Sequence, residues 1–398
     1  MKKLLLTSVA ISGLAASAIH AEEIKIGVIL GFTGPIETTV AHMGPAAALA
    51  IKEVNDGGLL LGGASVIGVE GDSTCIDSGA AIAAAERLIT ADGVKGIVGG
   101  DCSGVTGAML ANVAVPNGVV MISPSATSPA LSHMNNEDNG LFFRTAPSDA
   151  RQGVVMTEVL MSRDINEVAL TYTNNDYGKG LADAFQAAFE SAGGTVTVSA
   201  AHEDGKADYS AEVGTLSAAG GQLLVVAGYV DQGGAGIVRA SLDTGAFDTF
   251  HFPDGMMSDA LVANFKGEIN GSSGQHPSPS DELAETFKNL VGDDGGFESS
   301  SPFAPESYDA AALIMLAMQA AGTSDPNVYK DKIVEVANAP GEPIQAGELN
   351  KALKILAEGG DIDFVGATGV ELVGPGEAAG NYREVLIEDG KDMTVGFR

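Results

Sequence analysis

Residues 99–110, GGDCSGVTGAML, gather the groups in this chain best suited to chemistry: glycines around a cysteine and a serine, set between an apolar run and an alanine-rich one. Such a stretch could cradle a phosphate, expose a nucleophile at a strand–helix turn, carry a redox thiol, or simply turn tightly. The catalytic readings need companions that the sequence lacks. No G-x-S-x-G, H-E-x-x-H or G-x-x-x-x-G-K-[ST] occurs, and no G-x-G-x-x-G follows the first apolar run. His20, His42, His133, His202, His251 and His276 show no metal-ligand spacing, so neither a metal nor a cofactor is expected. Asn174-Asn175-Asp176 could hold a cation but reads as a helix start. Cys75 and Cys102 form an even pair, which in an exported chain reads as a structural disulfide contributing about 3–4 kcal/mol in the chain-entropy model.

Export is what the N-terminus suggests. Lys2 and Lys3, an apolar stretch from Leu4 to Leu14, and an Ala-x-x-Ala end at Ala18–Ala21 read as a secretory leader, residues 1–21. No cysteine stands at the junction for lipid attachment, and no other run approaches the length of a membrane span. The formal net charge of the 398 residues is −31, and two lysines leave with the leader. That acidity argues against nucleic acid or an anionic membrane surface as partner. The acids are scattered, a solvated surface, and the 45% apolar content is that of a globular chain.

The elements that must position the chemistry alternate short β-type runs with alanine-rich helical ones, an α/β pattern of parallel layers. In the first half the strands are Ile24–Leu30, Ser65–Glu70, Gly96–Gly99 and Val119–Ser123, and the helices Pro45–Asn55, Ser78–Ala91 and Gly104–Val115, with Phe142–Ala146 leading into a boundary at Pro147. After Pro147 the alternation restarts, with strands Val168–Thr173, Thr195–Ala200 and Leu223–Ala227 and helices Leu181–Ala192, Ser210–Ala219 and Gly236–Thr244. Gly271–Ser280 (GSSGQHPSPS) reads as a low-complexity link, Pro305–Ala321 as a helix, and Arg383–Gly396 as a hairpin turning at Asp389-Gly390. Two similar units with a cleft between them are expected.

Ligands of open α/β sheets bind at the carboxyl ends of the strands. Those ends carry Thr33-Gly34-Pro35, Cys102-Ser103-Gly104 and Ser123–Thr127 in the first unit, and Tyr177, Gly228–Asp231 and Pro253-Asp254-Gly255 in the second. Hydroxyls and N–H donors face phenols and carboxylates, which fits a zwitterion; ordinary βα turns use the same residue types.

Several segments together resemble the leucine/isoleucine/valine-binding proteins: IKIGVILGFTGP (24–35), the Cys75/Cys102 pair, MISPSAT (121–127), DYGKG (176–180) and FAPESYDA (303–310). The resemblance runs over nearly the whole mature chain. It implies a two-lobed type I periplasmic-binding fold in which each lobe is a mostly parallel sheet flanked by helices. Three hinge crossings would lie near 145–149, 274–278 and 376–382. Residues 22–145 with 276–378 would form the N-terminal lobe, and 146–275 with 379–398 the C-terminal one. The implied function is a periplasmic, monomeric, non-enzymatic receptor that captures an amino acid and delivers it to an ABC permease. Relatives also take γ-aminobutyrate, amides or aromatic carboxylates, and a sensory module for a membrane receptor is the reading from another class.

By position, Ser103 and Thr127 match the family's α-carboxylate ligands, with Ser125 and Ala126 lending backbone groups. Tyr177 and Tyr229 match its aromatic residues, and Asp254 its acidic partner for the α-ammonium. Where leucine-type binders carry a bulky aromatic, this chain reads Glu37-Thr38-Thr39, with Thr39 at the aligned spot, so the side-chain pocket is expected to be smaller and more polar. Glu37, His42, Asp231 and Gln232 are the candidates to meet a polar or larger side group.

Overall fold

The computed structural model describes residues 22–132 and 137–398; the candidate leader, His20 and His133 lie outside the described residues. The first sheet is built from β1 (Glu23–Leu30), β2 (Ser65–Asp72), β3 (Ile97–Gly99), β4 (Met121–Ser123) and β5 (Phe142–Arg144), all parallel, in the order β2-β1-β3-β4-β5. The second repeats this plan. Its strands β6 (Glu167–Thr173), β7 (Thr195–His202), β8 (Leu223–Ala227), β9 (Phe250–Phe252) and β10 (Ser273–Pro277) stand in the order β7-β6-β8-β9-β10, again parallel. The remaining strands are β11 (Glu342–Gln345), β12 (Ile362–Gly366), β13 (Leu372–Val373), β14 (Glu377–Ala378), β15 (Tyr382–Glu388) and β16 (Lys391–Phe397). Of these, β14 extends the first sheet beside β5, and β15 pairs antiparallel with β10 and with β16 to finish the second. In the β15–β16 turn both Asp389 (φ 51) and Gly390 (φ 69) are left-handed, as a two-residue I′ hairpin turn requires.

The chain therefore passes between the sheets three times: after β5 through residues 145–148, after β10 through 278–280, and after β14 through 379–381. The second passage corrects the reading of Gly271–Ser280 as a link. Ser273–Pro277 is a fully buried strand of the second sheet, so the crossing follows residue 277. Its small polar residues suit that place. The Ser272 hydroxyl accepts from Phe250 N at 3.0 Å, Ser273 Oγ lies 2.8 Å from His251 Nδ1, and a Cβ on Gly274 would come within 2.6 Å of Phe252 O.

A second correction concerns the helix read as starting at Pro45. It spans Glu37–Gly57 with Pro45 inside it, and ends on left-handed Gly58. Its apolar stripe already begins at Val40 and Met43, and continues through Ala47, Ala50, Ile51 and Val54, so burial upstream outweighs the single backbone bond that proline removes. This helix packs on Ala304–Ala321, whose residues from Ala304 to Gln319 are all buried. A helix buried all round belongs in a core, and this one runs between the Glu37–Gly57 helix and the first sheet.

Candidate functional site

In both sheets the strand order reverses at the strand that comes first in the chain, between β1 and β3 and between β6 and β8. That reversal opens a crevice at the carboxyl ends. The two crevices face one another. From the first come Ile36 and Thr39 after β1 and Asp101, Cys102 and Ser103 after β3; from the second come Tyr177 after β6 and Tyr229 after β8. Ser125, Asp254, Gly255 and Phe303 complete the lining of one interlobe cavity, which leaves about 30 Å³ open to water. The lobes are thus closed on the site.

The first-lobe wall is a network of short turns. The Cys75–Cys102 disulfide, with a Cα–Cα distance of 5.1 Å, ties the loop after β2 to the start of the helix Ser103–Met109. Asp101, 2% exposed, fixes the same turn: it accepts from Gly31 N at 2.6 Å and from Ser73 Oγ at 2.8 Å. The fit leaves no room at Gly34 (φ +122), where a Cβ would meet Thr74 O at 2.4 Å. Ser103 Oγ accepts from Ser128 N at 3.1 Å, and Ser125 Oγ donates to Asp101 O at 3.0 Å. Phe303, at φ 64, holds a left-handed conformation costly for a bulky residue, directly before the core helix.

The second-lobe wall is phenolic and acidic. Tyr177 and Tyr229 stack with centroids 5.3 Å apart, and the Tyr177 hydroxyl donates to Asp254 Oδ1 at 2.6 Å. Asp254 Oδ1 also accepts from Gly255 N at 2.8 Å, in a turn so tight that a Cβ on Gly255 would sit 2.6 Å from Gly228 O. Behind Asp254 lies Asp149, the first residue of the helix Asp149–Met161 and wholly buried. With its amide nitrogen turned toward them, Gln152 donates to Asp149 Oδ1 at 3.1 Å and to Asp254 Oδ1 at 3.3 Å. Burial pushes both carboxyls above the usual carboxylate range, and the neighbouring Asp254 pushes Asp149 further. Burial likewise raises the two tyrosines. None of the described residues lining the cavity is basic.

Of the residues read from the sequence, Ser103, Ser125, Thr39, Tyr177, Tyr229 and Asp254 line the cavity together. Ala126 and Thr127 are buried behind it. Ala126 N–H is taken by Ser123 Oγ at 2.9 Å, so that amide is not free for a ligand, while the buried Thr127 hydroxyl lies toward the Asp149 carboxyl. Glu37 is exposed at the helix start and does not line the cavity. Asp231 does something else. Its Oδ2 accepts from Thr38 N at 3.1 Å and Thr38 Oγ1 at 2.8 Å, and its N–H donates to Pro35 O at 3.2 Å, all across the cleft. Ile36, at the N-cap of the helix Glu37–Gly57, offers no side-chain cap, so a residue of the opposite lobe satisfies that helix end. Asp101, Asp149 and Phe303 were not singled out by sequence reasoning; Asp101 sat inside the GGDCSG motif, and the Asp149-x-x-Gln152 spacing at a helix start was the available signal for the acid behind Asp254.

A protein-family model described as periplasmic binding protein matches residues 23–341. Leu/Ile/Val-binding protein homolog 1 of Brucella melitensis is 30% identical over 333 residues, covering 82% of this chain and 86% of the relative. The leucine-, isoleucine-, valine-, threonine-, and alanine-binding protein of Pseudomonas aeruginosa is 29% identical over 342 residues, covering 84% and 87%. In fold, the chain is similar to the substrate-binding protein of a branched-chain amino acid transporter from Streptococcus pneumoniae, solved in complex with isoleucine. The TM-score is 0.76 at 21% identity, covering 95% of this chain and 99% of that one.

Proposed function

Because the chain belongs to the periplasmic binding protein family, we propose that it is a receptor, not an enzyme, that closes on an α-amino acid and presents the closed form to an ABC permease. In this reading the secretory leader takes it to the periplasm, where it acts as a monomer. The ligand's carboxylate meets the Ser103 hydroxyl and the N–H groups opening the helix behind it, with Ser125 alongside. Its ammonium meets Asp254, and the stacked tyrosines cover the α-carbon region. Thr127 is buried next to this wall, its hydroxyl toward the Asp149 carboxyl.

The observation that carries the reading is Asp254: a carboxyl 3% exposed in the interlobe cavity, beside a second buried acid, with no basic side chain lining the space. Burying two acids together is costly, Arg144 offsets this only in part for Asp149, and an incoming ammonium relieves it. The same pair disfavours a plain aromatic carboxylate, which would add negative charge without bringing an ammonium. The ligands in the name of the P. aeruginosa relative are all α-amino acids and include small and hydroxylated ones, in keeping with Thr39 in the wall.

A thermal-shift screen of amino acids, polyamines, amides and aromatic acids tests this. A ligand at 100 times its Kd adds about 2.7 kcal/mol of stability. A shift with at least one α-amino acid is expected; a shift with an aromatic acid alone overturns the reading.

A further inference from the structure

The loop that carries Ser125 to the cavity is held from behind on three successive carbonyls. Arg144 Nη1 donates to Ala126 O at 3.0 Å and to Ser128 O at 2.9 Å, and between them Thr127 O accepts from Asp149 N at 2.9 Å. Arg144, 1% exposed, is the last residue of β5, and Asp149 is the first of the helix Asp149–Met161, so the two bracket the first passage between the sheets. The other arm of the guanidinium reaches β14, which leads into the third passage. Nη2 donates to Glu377 Oε2 at 2.5 Å and to Ser132 Oγ at 2.6 Å.

With its carbonyls drawn back, the loop turns one amide forward: Ser128 N–H donates to Ser103 Oγ at 3.1 Å. That bond uses an acceptor site of the hydroxyl and leaves its proton to give. Among the described residues the Ser103 hydroxyl donates to none, and Ser103 lines the cavity. A carboxylate, which only accepts, suits such a proton. A carboxamide brings N–H donors of its own to a wall that already offers donors.

We propose, resting on the receptor reading above, that Arg144 is a positioning residue for the ligand's carboxylate: held by Glu377, it holds the carbonyls of Ala126 and Ser128, keeps the Ser128 N–H on Ser103 Oγ, and so aims the Ser103 proton into the cavity. Arg144 itself does not line the cavity. Its charge alone is not enough for this role, because two carbonyls and a carboxylate are met at once by one planar fork.

Calorimetric titration of the full mature chain with alanine, threonine and leucine, and with the primary amide of each, tests it. Wild type is expected to bind at least one of the acids ten times or more tighter than its amide. Arg144→Lys, which keeps the charge and loses the fork, should weaken that acid at least tenfold and leave its amide within threefold. Glu377→Gln should narrow the acid-to-amide preference in the same direction by a smaller factor. In both variants, without ligand, the Ser128 amide should exchange its hydrogen faster than in wild type. A residue that merely supports the fold would weaken acid and amide by the same factor. That result, or an unchanged preference in a folded Arg144→Lys chain, overturns the inference and leaves the receptor reading intact. Should Arg144→Lys not fold, an unchanged preference and unchanged Ser128 exchange in Glu377→Gln overturn it equally. Wild type that binds none of the three acids overturns both.

Discussion

Asp231 is the residue whose removal should change ligand affinity without touching the ligand. Its carboxylate joins the lobes by accepting from the backbone and the hydroxyl of Thr38, while its own N–H reaches Pro35 O. Asp231→Ala removes the two carboxylate bonds and leaves the backbone one. Both lost bonds lie at the solvent edge, so the lower range of hydrogen-bond worth applies, about 0.5–1.5 kcal/mol each. The closed state then loses about 1–3 kcal/mol relative to the open one, where the carboxylate is hydrated. Because apparent affinity scales with the population able to close, Kd should rise by roughly 5- to 150-fold, by the same factor for every ligand. Thr38→Val, which keeps the amide, should give about half that free-energy loss. Calorimetry with two chemically different ligands, paired with small-angle scattering of the apo protein, reads both consequences: weaker binding and a larger radius of gyration. Affinity within twofold of wild type, with unchanged scattering, would refute the latch.

Three further outcomes follow from the site and its surroundings. The Cys75→Ser/Cys102→Ser double variant should lose about 3–4 kcal/mol in chemical denaturation and bind ligand more weakly, since the staple fixes the turn that carries Ser103; unchanged stability in the variant would mean the loop is held by Asp101 alone. Glu306, buried with Oε2 unpartnered, is pushed up to about 8, so its contribution to stability is intact below about pH 4.5 and is lost as pH rises to 8. Glu306→Gln should therefore raise Tm at pH 8 and change it little at pH 5, with an equal change at both pH values contradicting the sign. Since Asp149 and Asp254 are both raised, ligand ammonium should displace a proton they share. Binding should weaken as pH falls through the range above ordinary carboxylates, with proton release visible as buffer-dependent enthalpy, and Asp254→Asn should abolish the dependence.

Much of this arrangement could be read from one chain because local signals agreed. β1 is a mostly apolar run, Asn175 caps its helix by accepting from Gly178 N, and the strand ends carry the hydroxyls and phenols that meet in the cleft. The failures share a cause: tertiary burial overrode local composition. GSSGQHPSPS has the residues of a linker, yet pairing on both sides and satisfied serines make it a buried strand. Pro45 reads as a helix start, yet the apolar stripe continues through it. Glu37 and Asp231 were grouped as side-chain contacts, and only the packing of two lobes separates an exposed acid from a cross-cleft cap. Asp149 lies more than a hundred residues from Asp254, and the Asp149-x-x-Gln152 spacing at its helix start does not by itself say which carboxyl it meets.

The central claim is that Asp254 and its buried neighbour exist to receive an α-ammonium. Calorimetric comparison of the best-binding amino acid with its α-hydroxy acid analogue, which keeps the carboxylate and side chain but lacks the amine, tests it most directly. Loss of a buried partner for the acid should cost about 2–5 kcal/mol, a Kd increase of roughly thirtyfold or more. Equal affinity for the two would contradict the account.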